Sequence, residues 1–435
     1  MIERFTVPDE LTCYYDRQYE PANVHIEARI PGRLDEAAVR ASVRAVLASE
    51  PRLLTRRVRS RSWQRSYYWE FPVAPGADPL QTVTYADQAG LDRQRDAFLS
   101  HSPPLDVAPP LLFLLASGPG GDWLILNAHH ACLDGLSCLR LLGRVAAEYR
   151  TRTARATVPA DGEPAGTPPA APKIPGGIRP QQLQNRRPRG GIIARIAPGH
   201  GDASAVAGYG AHLLTWDGLA MAGTLRSAAA SVNDLLIVAL MITIRDWNES
   251  RGARRDLIRI TMPVGDRDQA DARGQWANLS RLTTIAARVP AGTQPAGLIG
   301  EVARQTRYAK QHPGPQVDLA SRALVAAPVP VPVKRMFLRT ALRVAGPLFC
   351  DTSLVSNIGV IDELAFGHDR AADVWFSTSA HMPRGLSLGA VTAGGRLRLA
   401  FRYRRALFSA ADAAEFAATY VKVLDQFTGP EAARR

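Results

Sequence analysis

Apolar and polar residues alternate through 23–31 (NVHIEARIP), the period of a half-buried strand. The period then changes. Val39, Val43, Val46 and Leu47 recur at helical spacing and predict a helix over 34–49 with one core-facing stripe, ended by Pro51. Residues 53–59 read as a further strand. Two apolar runs, 111–116 (LLFLLA) and 123–128 (WLILNA), flank the turn-rich GPGGD and predict a hairpin in a buried sheet. A helix follows over 136–150, with Leu136, Leu139, Leu142, Ala146 and Tyr149 on one side.

Residues 157–191 are rich in Pro, Gly and Ala and carry Arg186, Arg187 and Arg189, the composition of an interdomain linker. Beyond it a strand is predicted near 212–216. A helix opens at Ser231-Val-Asn-Asp234, where each capping side chain can satisfy an orphan backbone donor. Strands follow at 257–264, 353–360, 386–391 and 397–403. A last helix opens at Ser409-Ala-Ala-Asp412 and places Phe416, Tyr420, Leu424 and Phe427 on one face. This alternation predicts an α/β fold of two lobes, with boundaries near 1–175 and 176–435.

Charge narrows the partners. The chain has 53 Lys+Arg against 40 Asp+Glu, a formal net charge of +13. That favours anionic partners. The arginines are dispersed, and neither zinc-finger spacing nor an aromatic RNA-binding strand occurs, so no nucleic acid is expected. Phosphate-bearing small molecules or an acidic protein fit better. Arg56, Arg57, Arg59, Arg61 and Arg65 read as an anion patch or as a solvated strand face. Arg335, Arg339 and Arg343 share one helical stripe within 334–343. They read as a surface helix, or as a dock for an acidic carrier protein or membrane lipid. The four cysteines (Cys13, Cys132, Cys138, Cys350) are too few and scattered for a disulfide framework or a zinc cluster, which predicts a cytoplasmic protein without a bound metal. The polar, acidic start is no signal peptide. The longest apolar run, 235–244, falls short of the roughly 18 residues of a membrane span, so no transmembrane segment is expected.

The chemistry concentrates in Asn127-Ala-His129-His130-Ala-Cys-Leu-Asp134-Gly135. A buried strand runs into two histidines, turns, and starts a helix. Neighbouring strand side chains point to opposite faces. One histidine therefore enters a cavity and the other packs behind it, which argues against both binding one metal. A cavity-facing histidine suits general base work, since its unperturbed pKa is about 6.5; it equally suits a satisfied core residue. Asp134 can orient the loop or pair with a cation. Gly135 permits an unusual backbone geometry and the close approach of a substrate. Cys132 reads as filler rather than nucleophile.

This HHxxxDG pattern resembles the signature of the condensation-domain branch of the chloramphenicol-acetyltransferase-like acyltransferases. The opening NVHIEARIPGRLDEAAVRASVRAVLASEPRLLTR resembles the first strand, helix and "hP-L-R" segment of that family. SVNDLLIVAL resembles the helix opening its second lobe, ITMPVGDRD and ANLS its "MPVxxR…GNxS" segment, LVSNIG its crossover strand, and GRLRLAFRY its late sheet. The plant-type DFGWG motif is absent, its nearest remnant being Phe366-Gly367.

The resemblance implies a V-shaped pair of chloramphenicol-acetyltransferase-like lobes around a central tunnel, with 353–360 as the crossover strand. It implies a monomeric acyltransferase that binds no cofactor. The donor would be a phosphopantetheine thioester on a carrier protein or coenzyme A, and the acceptor an amine or alcohol. His130 would be the general base and Gly135 an oxyanion donor. His129 would pack, Asp134 would pair with Arg267 across the lobes, and Ser356 and Asn357 would line the tunnel. Cyclisation, epimerisation or dehydration of a tethered substrate, and a non-catalytic module that recruits carrier proteins, are the competing roles.

Overall fold

A computed structural model describes the chain except for residues 19, 158–190, 200–207, 222–229, 266–275, 313, 367–368, 371–372 and 429–435. The predicted linker lies almost wholly outside the described residues, as does Arg267.

The first half supplies α1 (Val7–Tyr15), β1 (Asn23–Ile30), α2 (Glu36–Ser49), β2 (Leu80–Thr84), α3 (Gln88–Leu99), β3 (Leu111–Gly118), β4 (Gly121–His129) and α4 (Gly135–Thr157). The second supplies β5 (Tyr209–Trp216), α5 (Val232–Glu249), β6 (Leu257–Gly265), β7 (Ser280–Arg288), α6 (Pro295–Gln311), α7 (Leu319–Ala326), α8 (Val331–Phe349), β8 (Ser353–Ile361), β9 (Asp373–Thr378), β10 (Leu386–Ala393), β11 (Arg396–Arg404) and α9 (Ala410–Asp425).

Local signals account for many of these elements. Asp35 caps α2, its carboxylate accepting from Ala38 N at 2.8 Å, and Val39, Val43, Val46 and Leu47 are buried. Asp234 accepts from Ser231 N at 2.6 Å at the head of α5, and Asp412 from Ser409 N at 2.8 Å at the head of α9. The strand expected over 53–59 is mostly replaced. Pro51 opens a 3-10 turn over Pro51–Leu54, and only Arg56–Arg57 is extended. Leu53 and Leu54 are both buried. Adjacent residues of a strand point oppositely, whereas a tight helical turn can bury both.

Two sheets result. The first runs β9-β1-β4-β3-β2 and the second β7-β6-β8-β10-β11-β5. Each is the wall of its own apolar core, the first packed with α2 and α4, the second with α5, α6 and α9. The crossover expectation needs correcting. Residues 353–360 do not cross: β8 stays in the second sheet, parallel to β10. The strand that crosses is β9, which pairs antiparallel with β1 from Asp373↔Arg29 to Thr378↔Val24. Its alternation (DVWFST) lets Val374 and Phe376 enter the first core while Trp375 stacks on Trp123 at 5.5 Å. To get there, β9 passes so close to β10 that a side chain on Gly389 would collide with Phe376 O. Among the described residues no helix is long and apolar enough to cross a membrane.

Candidate active site

β4 ends at His129, and the loop 130–134 leads into α4. The chain turns there because Cys132 N and Leu133 N both return to His129 O, at 2.9 and 3.3 Å. His130 N donates to Ala22 O at 2.8 Å, which fixes the loop to the residue preceding β1.

The two rings separate by role. His129 is 1% exposed, and its Nδ1 accepts from Ala131 N at 3.1 Å. An accepting Nδ1 leaves the proton on Nε2, which lies 3.7 Å from Asp16 Oδ2. Burial alone would raise the Asp16 carboxyl, but His129, Ala22 N–H and the Ser102 hydroxyl together bring it down to about 2. His129 is therefore a strut between β4 and the end of α1. His130 is half-buried, and its Nδ1 lies 3.2 Å from Leu133 O. A carbonyl only accepts, so Nδ1 holds the proton and Nε2 keeps a lone pair. Burial pushes the imidazole below its ordinary value of 6.5, and the Asp134 carboxylate opposes this without reversing it. At neutral pH the ring is an uncharged base.

Asp134 caps α4 by accepting from Ser137 N at 2.9 Å, and its other oxygen accepts from Leu279 N at 3.2 Å. Arg267, the partner expected for it, lies outside the described residues. What the structure shows instead is a staple made by 276–279. Asn278 Nδ2 donates to His130 O at 3.1 Å, Ser137 Oγ donates to Ala277 O at 3.2 Å, and Trp276 Nε1 donates to Glu50 at 2.8 Å. The second half of the chain thus grips the loop at several points. An Asp134→Ala variant should lose about 2–4 kcal/mol, because it removes a helix cap and strands the buried Leu279 N–H. Asp134→Asn, which keeps one acceptor, should lose less. Urea denaturation measures both; two variants as stable as the parent contradict the bracing role.

Gly135 needs a correction. Its backbone is outside the left-handed region, so conformation does not demand glycine. Space does: a side chain there would meet Phe376 at 2.7 Å and Ile358 at 3.1 Å. On that side the room is filled by the crossover strand and the β8 bulge. Ser356 is buried on β8. Asn357 donates to Asn233 Oδ1 at 2.8 Å and accepts from Gly359 N at 2.9 Å, which stabilises the bulge where Gly359 has φ +91°. Burial pushes the Cys132 thiol well up, so it holds no thiolate at neutral pH. Cys132 borders a cavity of ≈370 Å³ with Arg4, Asp9, Trp69, Ala131 and Asn278, and a second cavity of ≈510 Å³ lies along α8. His130 lines neither wall.

Asp16, Asn278 and Phe376 were not singled out by sequence reasoning. Asn278 lies in the ANLS segment, which carried a signal; Asp16 and Phe376 meet the loop only through the fold.

No family model matches the sequence. The uncharacterised Mycobacterium tuberculosis proteins MT2362 (strain CDC 1551 / Oshkosh) and Rv2305 (strain ATCC 25618 / H37Rv) are each 31% identical over 420 residues, covering 92% of this chain and 93% of theirs. Among solved structures, the first condensation domain of the CDA synthetase superposes with a TM-score of 0.66 at 14% identity, covering 99% of this chain and 97% of that one. The epimerization domain from the third module of tyrocidine synthetase B gives 0.61 at 14% identity, covering 100% and 97%. The X-domain from teicoplanin biosynthesis gives 0.58 at 17%, covering 98% and 94%. The chain therefore belongs to the family of these mycobacterial proteins, and its two joined lobes have the condensation-domain fold.

Proposed function

We propose that the protein is an acyltransferase that moves an acyl group from a pantetheine thioester to an amine or alcohol, with His130 as general base. The observation that carries this reading is the Nδ1 contact to Leu133 O, which leaves Nε2 with its lone pair on a ring that burial keeps neutral. As the acceptor attacks the thioester carbonyl, Nε2 takes its proton. The tetrahedral intermediate then collapses, the C–S bond breaks, and the imidazolium returns the proton to the departing thiolate. The amino end of α4 at Gly135 supplies a positive dipole end for the developing oxyanion. No resident cofactor takes part. The donor, on a carrier protein or coenzyme A, brings the phosphates that suit a basic surface.

The deciding assay presents acyl-coenzyme A and acyl-carrier donors together with amines and alcohols, and weighs the products. An acceptor heavier by the acyl mass supports transfer. A tethered substrate converted without change of mass supports isomerisation. No product with any donor, alongside tight carrier binding, supports a recruitment module.

The pH dependence has a defined sign. The neutral imidazole is the active form, and its pKa lies below 6.5. Turnover should stay flat from pH 8 to 7 and fall only below 6.5, as the base becomes protonated. An acid limb centred well above 6.5 would assign the base elsewhere.

A further inference from the structure

α8 departs from the ordinary pattern of a surface helix. Val331 and Lys334 are buried, and Leu338 packs on the first core. Its solvent side should then be polar. Instead Val333, Met336, Phe337, Val344, Leu348 and Phe349 are between 44% and 72% exposed. Val333, Phe337, Val344 and Leu348 fall on one stripe of the helix, about 22 Å long at 1.5 Å per residue.

Cations lie to one side of the stripe. Arg335, Arg339 and Arg343 recur every four residues, Arg343 at the edge of the exposed face and Arg335 and Arg339 further round the helix, and with Arg17 and Tyr67 they line the ≈510 Å³ cleft. Arg339 is drawn inward, donating to Tyr14 O and Asp16 O. From 319 to 350 the chain has no Asp or Glu but carries Arg322, Lys334, Arg335, Arg339 and Arg343. An independent observation extends the surface. Trp63 is 66% exposed, with the Arg61 guanidinium 5.5 Å from its ring centre. Its loop is bonded to the head of α8 through Val331 N to Gln64 O at 2.8 Å and Lys334 Nζ to Arg65 O at 2.8 Å.

An apolar stripe with cations on one side, no carboxylate within 319–350 and an amphipathic tryptophan at one end suits the interface of an anionic bilayer. We propose that α8 is the protein's membrane-docking element. Phe337, Val344 and Leu348 enter the acyl boundary, and Arg335 and Arg343 at the cleft receive lipid phosphates, while Arg17 is held by Glu20 at 3.0 Å. The length of the stripe favours this over an acidic protein partner, since a fluid apolar phase covers all of it at once. The inference stands apart from the role of His130.

Co-sedimentation of the full chain with phosphatidylglycerol vesicles and with phosphatidylcholine vesicles tests it. Binding to the anionic vesicles should be at least tenfold tighter and should weaken with salt. The F337D/L348D variant should lose at least tenfold in binding with an unchanged melting temperature, and R335Q/R343Q should flatten the salt dependence. Absence of binding to phosphatidylglycerol overturns the proposal, as does full binding by F337D/L348D. So does capture of an acidic carrier protein through Phe337 and Leu348 without any vesicle binding, which would make the face a protein dock.

Discussion

His130→Ala should cut turnover by about 10²–10⁴-fold, the range of one general base, with the fold intact. The loop does not depend on the ring. His130 N donates to Ala22 O, and His130 O accepts from Asn278, and both bonds are made by the backbone of residue 130. The side chain adds only the Nδ1 contact to Leu133 O. Its removal should therefore lower kcat while leaving KM and the melting temperature nearly unchanged, the mark of an interaction made in the transition state. His129→Ala provides the contrast. It deletes the acceptor for Ala131 N and the neighbour of Asp16, so stability should fall along with activity. Mass spectrometry of product and thermal unfolding of both variants give the comparison. Full turnover by His130→Ala would remove the ring from the chemistry and assign the base elsewhere.

Legibility in the sequence followed the range of the forces involved. The hairpin β3–β4 was readable because two apolar runs and their turn are adjacent in the chain. The heads of α5 and α9 were readable because Ser231 and Asp234, or Ser409 and Asp412, cap within one turn. The histidine motif was readable as one strand, one turn and one helix start. Two features were not. The crossover fell on the wrong segment because LVSNIG reads as a strand without showing which sheet it joins, while DVWFST was not read as a strand at all. The one local clue was Gly389 inside LSLGAV, since a glycine amid strand residues marks a close backbone approach. The grip of 276–279 on the loop joins residues about 140 positions apart, beyond any periodicity. The Gly135 reading erred for the same reason: the atoms that require glycine come from Phe376 and Ile358.

The crossover strand depends on a buried ion pair, and breaking that pair should cause the largest loss of stability. Glu27 stands opposite Trp375 in the β1–β9 ladder. Its carboxylate meets Arg95 Nε at 2.6 Å and His25 Nδ1 at 3.3 Å, with the Arg95 and Glu27 side chains 2% and 3% exposed. The Arg95 guanidinium also lies 4.8 Å from the centre of Trp123, which stacks on Trp375. Burial favours a protonated Glu27, but Arg95 and His25 outweigh it and hold the carboxyl at about 2, below its ordinary 4.5. The pair thus stabilises the fold above pH 4.5, and that contribution drains away as pH falls toward 2. Arg95→Met leaves the carboxylate buried with only a histidine beside it, which should cost about 3–5 kcal/mol at pH 7. Desolvation then dominates, so the Glu27 pKa should rise above 4.5 and the sign of the linkage reverses. The variant's deficit should be largest at neutral pH and shrink as pH drops below 4.5. The double variant Glu27→Gln, Arg95→Met should recover part of the loss, since no charge is stranded. Denaturation of the parent and both variants at pH 7 and pH 4 reads all of this. A deficit equal at both pH values would locate the loss in packing against Trp123 instead of in the stranded charge.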